Sequence, residues 1–325
     1  PVFAHPLNNN NMPTPSPYFL DGTSLMDSTS LYTNSALTSV APDGWYSDGL
    51  IIRELIGGLL QPSQPCPGCG QACGKGTIYA EGEQGIYILN VDLGNLSSST
   101  GAVIIKFNPQ SVPDGIIAEF NGVMYNELSS PYFGYLSGTP NAPVFVGNSA
   151  YDCSIAGSTY TLTQYQWDGA AWSAIGTTDT VSVASGQLDL SPDDPGNCVM
   201  VIPKTSATPS VLSLKFYGVC TGTAFEIDVY CPRALEKFKA SVVAHAVEFE
   251  DPVFCALPLN QDYYVARVSL FSAPYLGLYD WVFTDPFGEN KLPDGYYKTN
   301  FLPAPNDTIQ VQNGVIIAIS DVCPI

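Results

Sequence analysis

Apolar and polar residues along this chain alternate in short runs with a period of two, and the runs are cut by Gly, Pro, Asn, Asp and Ser. Ile86-Tyr87-Ile88-Leu89-Asn90-Val91-Asp92-Leu93 is one such run, and Ala102-Val103-Ile104-Ile105-Lys106-Phe107 follows it after a Ser-rich turn. Residues 160–167, 198–202, 211–217 and 225–230 read as further strands. Strands spaced by ~8–12 residues with turn signals between them predict an all-β protein whose central part is a jelly-roll-like β-sandwich. Helices should be scarce.

The same pattern divides the chain. Residues 1–20 hold an Asn run (Asn8 to Asn11) with Pro13, Pro15 and Pro17, and read as a flexible N-terminal arm. Residues 21–76 form an N-terminal β repeat with a Cys-rich loop, 77–232 the sandwich, and 233–325 a C-terminal β domain carrying a second copy of the repeat. Tyr32-Thr33-Asn34 and Pro42-Asp43-Gly44-Trp45-Tyr46 match Phe283-Thr284-Asp285 and Pro293-Asp294-Gly295-Tyr296-Tyr297 at one offset. After a short insertion, Ile52, Gly57, Cys66 and Pro67 align with Ile309, Gly314, Cys323 and Pro324. Asn313-Gly314 lies between two apolar runs, the strongest short-range signal for a hairpin. Pro-Asp-Gly alone is a common turn, and Pro113-Asp114-Gly115 repeats it centrally; the shared spacing of turn, aromatics and Cys-Pro is what argues for duplication.

Composition narrows the function classes. A chain of 325 residues suggests two or three domains, and only 13% of residues are charged against ~25% in an average soluble protein. A surface rich in Ser, Thr, Asn, Gln and Tyr costs little to desolvate, which favours permanent subunit contacts. Eleven basic against 30 acidic residues give a net charge of −19, so direct nucleic-acid binding is not expected. No apolar stretch approaches the ~20 residues of a membrane span. The start, Pro1-Val2-Phe3-Ala4-His5, lacks the basic and apolar regions of a secretory signal, and an initial Pro is what trimming of an initiator Met leaves; the expectation is synthesis in a cytoplasm.

Candidate chemistry is sparse. Cys66, Cys69 and Cys73 lie in a Gly-rich loop whose free backbone angles would let three thiolates converge on a structural zinc or iron, with the fourth ligand from elsewhere, for example Cys323. A disulfide-stapled loop and free thiols are the other readings. Cys153, Cys198, Cys220, Cys231 and Cys255 complete a set of nine; pairs such as Cys255 with Cys323 or Cys198 with Cys220 are compatible with their spacing. Histidine is limited to His5 and His245, and no nucleophile elbow accompanies any Ser, so an enzyme is not expected. Asp193-Asp194 reads as a solvated turn. Trp167 and Trp172 bracket Asp168-Gly169-Ala170-Ala171 at a hairpin tip, and are the pair expected to stack on a sugar if the protein binds one.

Several stretches resemble tail, baseplate or fibre-type structural proteins of tailed bacteriophages that infect aquatic or Bacteroidetes-type bacteria. They are Pro42-Asp43-Gly44-Trp45-Tyr46-Ser47-Asp48-Gly49 leading to Cys66-Pro67-Gly68-Cys69; Gly101-Ala102-Val103-Ile104-Ile105 through Ser111-Val112-Pro113-Asp114-Gly115-Ile116; Cys198-Val199-Met200-Val201-Ile202-Pro203-Lys204; and Leu278-Tyr279-Asp280-Trp281 through Pro293-Asp294-Gly295-Tyr296-Tyr297. The resemblance implies a virion component; joined to the composition, the repeat and the N-terminal residues, the expectation is a protein made in the host cytoplasm that forms a homo-oligomer and contacts other virion proteins. Host attachment through a surface glycan, or a place on the capsid as a decoration protein, are the alternatives it leaves open. No catalytic residue carries over.

Overall fold

The computed structural model describes residues 2–3, 17–22, 25, 27–47, 51–62, 64–65, 71–94, 99–151, 155–184, 186–193, 195–241, 255–267, 276–299 and 307–320. The described chain is almost entirely β, and its helical structure includes the single 3-10 turn Ser149–Tyr151. Its first part contains β1 (Val2–Phe3), β2 (Pro17–Leu20), β3 (Leu31–Tyr32), β4 (Gly44–Ser47), β5 (Ile51–Ile56), β6 (Leu59–Leu60) and β7 (Gln64–Pro65). Strands β1-β2-β3 form one sheet and β4-β5-β6 another, with β7 added to β5. The Leu60 N–H donates to the Thr29 carbonyl at 2.9 Å and joins the two. Tyr18, Leu25, Leu31, Ala41, Tyr46, Leu55 and Leu60 fill the space between them.

The middle part contains β8 (Gln71–Ala72), β9 (Ile78–Glu81), β10 (Gly85–Asp92), β11 (Gly101–Asn108), β12 (Asp114–Phe120), β13 (Val123–Tyr125), β14 (Glu127–Ser130), β15 (Gly134–Ser137) and β16 (Val144–Asn148). It continues with β17 (Ser158–Trp167), β18 (Trp172–Val183), β19 (Leu188–Ser191), β20 (Cys198–Lys204), β21 (Val211–Gly218) and β22 (Ala224–Arg233). One sheet runs β18-β17-β10-β21-β12-β16-β19, with β13 on β12 and β8 on β10; the other runs β15-β14-β20-β11-β22-β9. This is the expected sandwich. Parallel pairs (β10 with β17, β10 with β8, β16 with β19) interrupt the antiparallel pattern of a jelly roll. The period-two runs aim alternate residues inward: Tyr87, Leu89 and Val91 of β10 meet Val103, Ile105 and Phe107 of β11, with Phe216 and Phe225 stacked between the sheets at 5.1 Å. The run 102–105 is apolar without a break because β11 is buried on both faces, and Ala102 and Ile104 point away from the sandwich core.

What covers that outer face is the last part of the chain, a closed barrel of β23 (Glu236–Ala240), β24 (Gln261–Ala266), β25 (Trp281–Phe283), β26 (Gly295–Thr299), β27 (Asp307–Gln312) and β28 (Val315–Ser320). The order β23-β24-β25-β28-β27-β26 brings the fourth strand back beside the first, a Greek key. Leu235, Ala266, Trp281, Phe283 and Val315 pack on Ala102, Ile104 and Val199.

The N-terminal unit repeats this pattern in part, as two sheets and not a closed barrel: β1-β2-β3 corresponds to β23-β24-β25 and β4-β5-β6 to β26-β27-β28, with β7 added on β5, and the agreement extends to single bonds. Isolated bridges join Tyr32 to Val40 and Phe283 to Lys291. Thr33 donates to the Ser39 carbonyl at 2.8 Å, and Thr284 to that of Asn290 at 2.8 Å. Tyr18 meets Tyr46 edge-on at 5.2 Å, as Tyr263 meets Tyr297 at 5.7 Å. Gly57 and Gly58 turn the first hairpin at φ 58° and 82°; Asn313 and Gly314 turn the second at 52° and 78°, the left-handed pair of a type I′ turn.

Two expectations change. Residues 2–3 and 17–20 are β1 and β2 of the sheet β1-β2-β3, with Tyr18 buried, so this part of the supposed arm is a folded element. In the ribbon the correct alignment shifts by one residue: Tyr46 pairs with Arg53 and Tyr297 with Ile309, so Arg53, not Ile52, is the counterpart of Ile309. The guanidinium of Arg53 makes that swap tolerable in a buried site, donating to the carbonyls of Leu25, Ser28, Leu60 and Gln61.

Candidate functional site

The metal expected at Cys66, Cys69 and Cys73 is overturned. The parallel pairing of β8 with β10 carries Cys73 to the end of β22, where its backbone N–H binds the Asp92 carbonyl at 3.1 Å and that of Gly74 binds the Val229 carbonyl at 2.8 Å. Its sulfur is bonded to Cys231, across a sequence separation of 158 residues. A disulfide sulfur is no thiolate ligand, and among the described residues no group of three His, Cys, Asp or Glu side chains could hold a metal ion. Cys66, Cys69, Cys153, Cys323, His5 and His245 lie outside the described residues. Cys220 and Cys255 are each disulfide-bonded. Cys198 is a buried thiol 3.9 Å from the Gly196 carbonyl, so the suggested Cys198–Cys220 bridge does not form.

Trp167 and Trp172 do meet across a hairpin tip, as cross-strand partners with ring centroids 5.2 Å apart. Asp168 closes the tip by accepting the N–H groups of Ala170 and Ala171, and these bonds hold its carboxyl below the usual range. The rings, however, lean inward. Trp172 lies edge-on to Tyr87 and Phe225 at 5.2 and 6.4 Å and donates its indole N–H to the Tyr79 carbonyl at 2.8 Å. Tyr165 stacks flat on Tyr87 and its hydroxyl donates to Glu83. The pair therefore seals one end of the sandwich core, with Tyr79 exposed beside it.

A polar and aromatic cluster that the sequence did not single out lies at the junction of sandwich and C-terminal barrel. Lys291 binds Glu127 at 2.6 Å and lies 4.7 Å above the Tyr135 ring and 5.0 Å from that of Trp281. The other Glu127 oxygen accepts the Tyr135 hydroxyl at 2.6 Å; burial and this bond push that phenol up to about 12. Trp281 is buried and donates to the Val199 carbonyl at 2.9 Å. A cavity of about 100 Å³ lies beside them, lined in part by Tyr125, Met200, Pro203 and Glu289. Both charges are already engaged, so the arrangement works as a clamp between two bodies.

A second buried polar group sits in β12. Asp114 is fully buried; one oxygen accepts the Thr223 hydroxyl at 3.1 Å and the other has no partner. Burial raises its carboxyl well above the ordinary range, favouring the neutral acid. The Thr223 hydroxyl also lies 3.0 Å from the Cys220 carbonyl and shares its one proton between the two acceptors, tying the site to a disulfide-bonded loop.

Among the described residues, no helix is long and apolar enough to cross a membrane. No family model, curated protein or solved structure matches the chain.

Proposed function

We propose that this chain is a non-catalytic structural component of a tailed-phage virion, working in the tail, baseplate or fibre apparatus as part of an oligomer. The observation that carries the reading is a small β unit duplicated before and after the sandwich in the chain, the second copy a closed barrel clamped to the sandwich through Trp281, Lys291 and Glu127. A unit that joins bodies in one copy and is present a second time is what a connector requires, and a chain with only 13% charged residues suits broad, permanent contacts. The resemblance of the four stretches quoted above points to the same class. The test is cryo-electron microscopy of particles of a phage that encodes this chain, with mass spectrometry of separated heads and tails. Density for the chain in the tail supports the reading, recovery with heads converts it to capsid decoration, and absence from particles removes both.

Attachment to a host surface glycan is the second reading, and exposed Tyr79 beside the Trp167–Trp172 tip is what favours it. A glycan array with the protein and its Tyr79→Ala variant separates a binding tip from a merely structural one.

A further inference from the structure

Matched by pairing register, the two repeat units differ on the face that joins the C-terminal copy to the sandwich. In that copy the bridge residue Lys291 reaches Glu127, Val315 is fully buried in the junction, and Gly288 lies so close that a Cβ there would stand 3.0 Å from Val201. The corresponding residues of the N-terminal copy are Val40, Leu59 and Leu37. They are 48%, 62% and 38% exposed, and Ile56, the cross-strand partner of Leu59, is 51% exposed. Val40 touches the hairpin turn at Gly58, 3.3 Å from where a Cβ would stand, so these side chains belong to one surface. The same face is thus a covered joint in one copy and an open apolar one in the other.

Two features argue that a surface is being kept for contact. Leu37 holds a left-handed backbone at φ 54°, where the other copy has Gly288, and the Asn34 side chain locks it there by accepting the N–H groups of Thr38 and Ser39. A leucine in that conformation is strained, and strain retained to display an apolar side chain to solvent has no folding benefit. The segments that supply these side chains are also uncharged: residues 28–42 and 55–62 contain no Asp, Glu, Lys or Arg in a chain of net charge −19, and the partly exposed Glu54, two residues before Ile56 on β5, lies just outside them. Two copies of so acidic a protein repel one another across most of their surfaces, and an uncharged apolar face is where they can approach.

We propose that this face, built around Leu37, Val40, Ile56 and Leu59, pairs with the same face of a second copy about a two-fold axis, the commonest symmetry of homo-oligomers. The inference deepens the assembly reading above and rests on it. Sedimentation velocity of the full chain over a dilution series tests it. The wild type should sediment as a dimer, and Val40→Asp and Leu59→Asp should each weaken it about tenfold or more, while Val211→Asp, at an exposed site on the sandwich, should not. Leu37→Gly guards against simple unfolding: by copying the other repeat unit it should leave the thermal midpoint equal or higher and still weaken the dimer. A monomeric wild type, or a dimer indifferent to all three substitutions in this face, overturns the proposal. So does a patch that captures a different virion protein while the chain stays monomeric. Each of these leaves the virion reading to be decided by the particle maps.

Discussion

Tyr46 and Tyr297 hold the same position in the two repeat units: each hydroxyl donates back to the proline carbonyl of its own Pro-Asp-Gly turn, Tyr46 to Pro42 at 2.5 Å and Tyr297 to Pro293 at 2.8 Å. Each ring is buried and braced edge-on by a second tyrosine. Burial pushes the Tyr46 phenol up to about 12, and the Tyr297 phenol rises for the same reason, so both hydroxyls remain donors through the neutral range. Tyr46→Phe and Tyr297→Phe should each cost about 1 kcal/mol in urea denaturation, the net value of one intramolecular hydrogen bond. Unequal losses well beyond a factor of two or three would show that the two turns are not energetic equivalents.

The Cys73–Cys231 bridge closes a long loop, and loop closure of that length stabilises by about 4–5 kcal/mol in the chain-entropy model. Cys73→Ser with Cys231→Ser should lower the melting temperature of the sandwich transition. Added zinc should not restore it, since the sulfurs serve as a covalent staple.

Asp114 sets a pH dependence of unusual sign. Its folded pKa lies above the unfolded value, so the folded state holds the proton more tightly and stability falls as pH rises from about 4 toward the folded pKa. Asp21, Asp262 and Asp285 have lowered values and work the opposite way, so the wild-type curve mixes both. The difference between wild type and Asp114→Asn isolates the buried acid. The Asn variant should gain on the wild type with rising pH, measured by urea midpoints; a constant difference would place the Asp114 carboxylate in contact with a compensating charge.

At the hairpin tip, Trp172→Ala should cost about 3 kcal/mol or more, because it removes core packing and leaves the Tyr79 carbonyl without its indole donor. Both indoles are partly buried on the same core, and Trp167→Ala should cost less because Trp172 is the one that packs edge-on against Tyr87 and Phe225. Thermal melts decide the ranking.

Much of this fold was readable in the residues. The hairpin at Asn313-Gly314, the tip at Asp168-Gly169 and the alternating strands are set by local chemistry, and they stand where local chemistry puts them. The candidate site was less legible. Cys73 is far from Cys231 in sequence, and only the parallel pairing of β8 with β10 brings them together. A Trp beside a Gly-containing turn reads as exposed, whereas Trp172 folds back under Tyr79. Strands β1 and β2 are short and flanked by prolines, so nothing in their own residues distinguishes them from a loose tail; their partner strand defines them. The cluster of Glu127, Tyr135, Trp281 and Lys291 draws on two bodies, and its members share no spacing along the chain.

The bridge at Cys73 has a mechanical consequence. It joins the point where the chain leaves the first repeat unit to the point where it enters the second, with the two Cα atoms 4.9 Å apart. A pull on the two flanking units therefore runs through one sulfur–sulfur bond, and residues 74–230 between the cysteines are shielded from it.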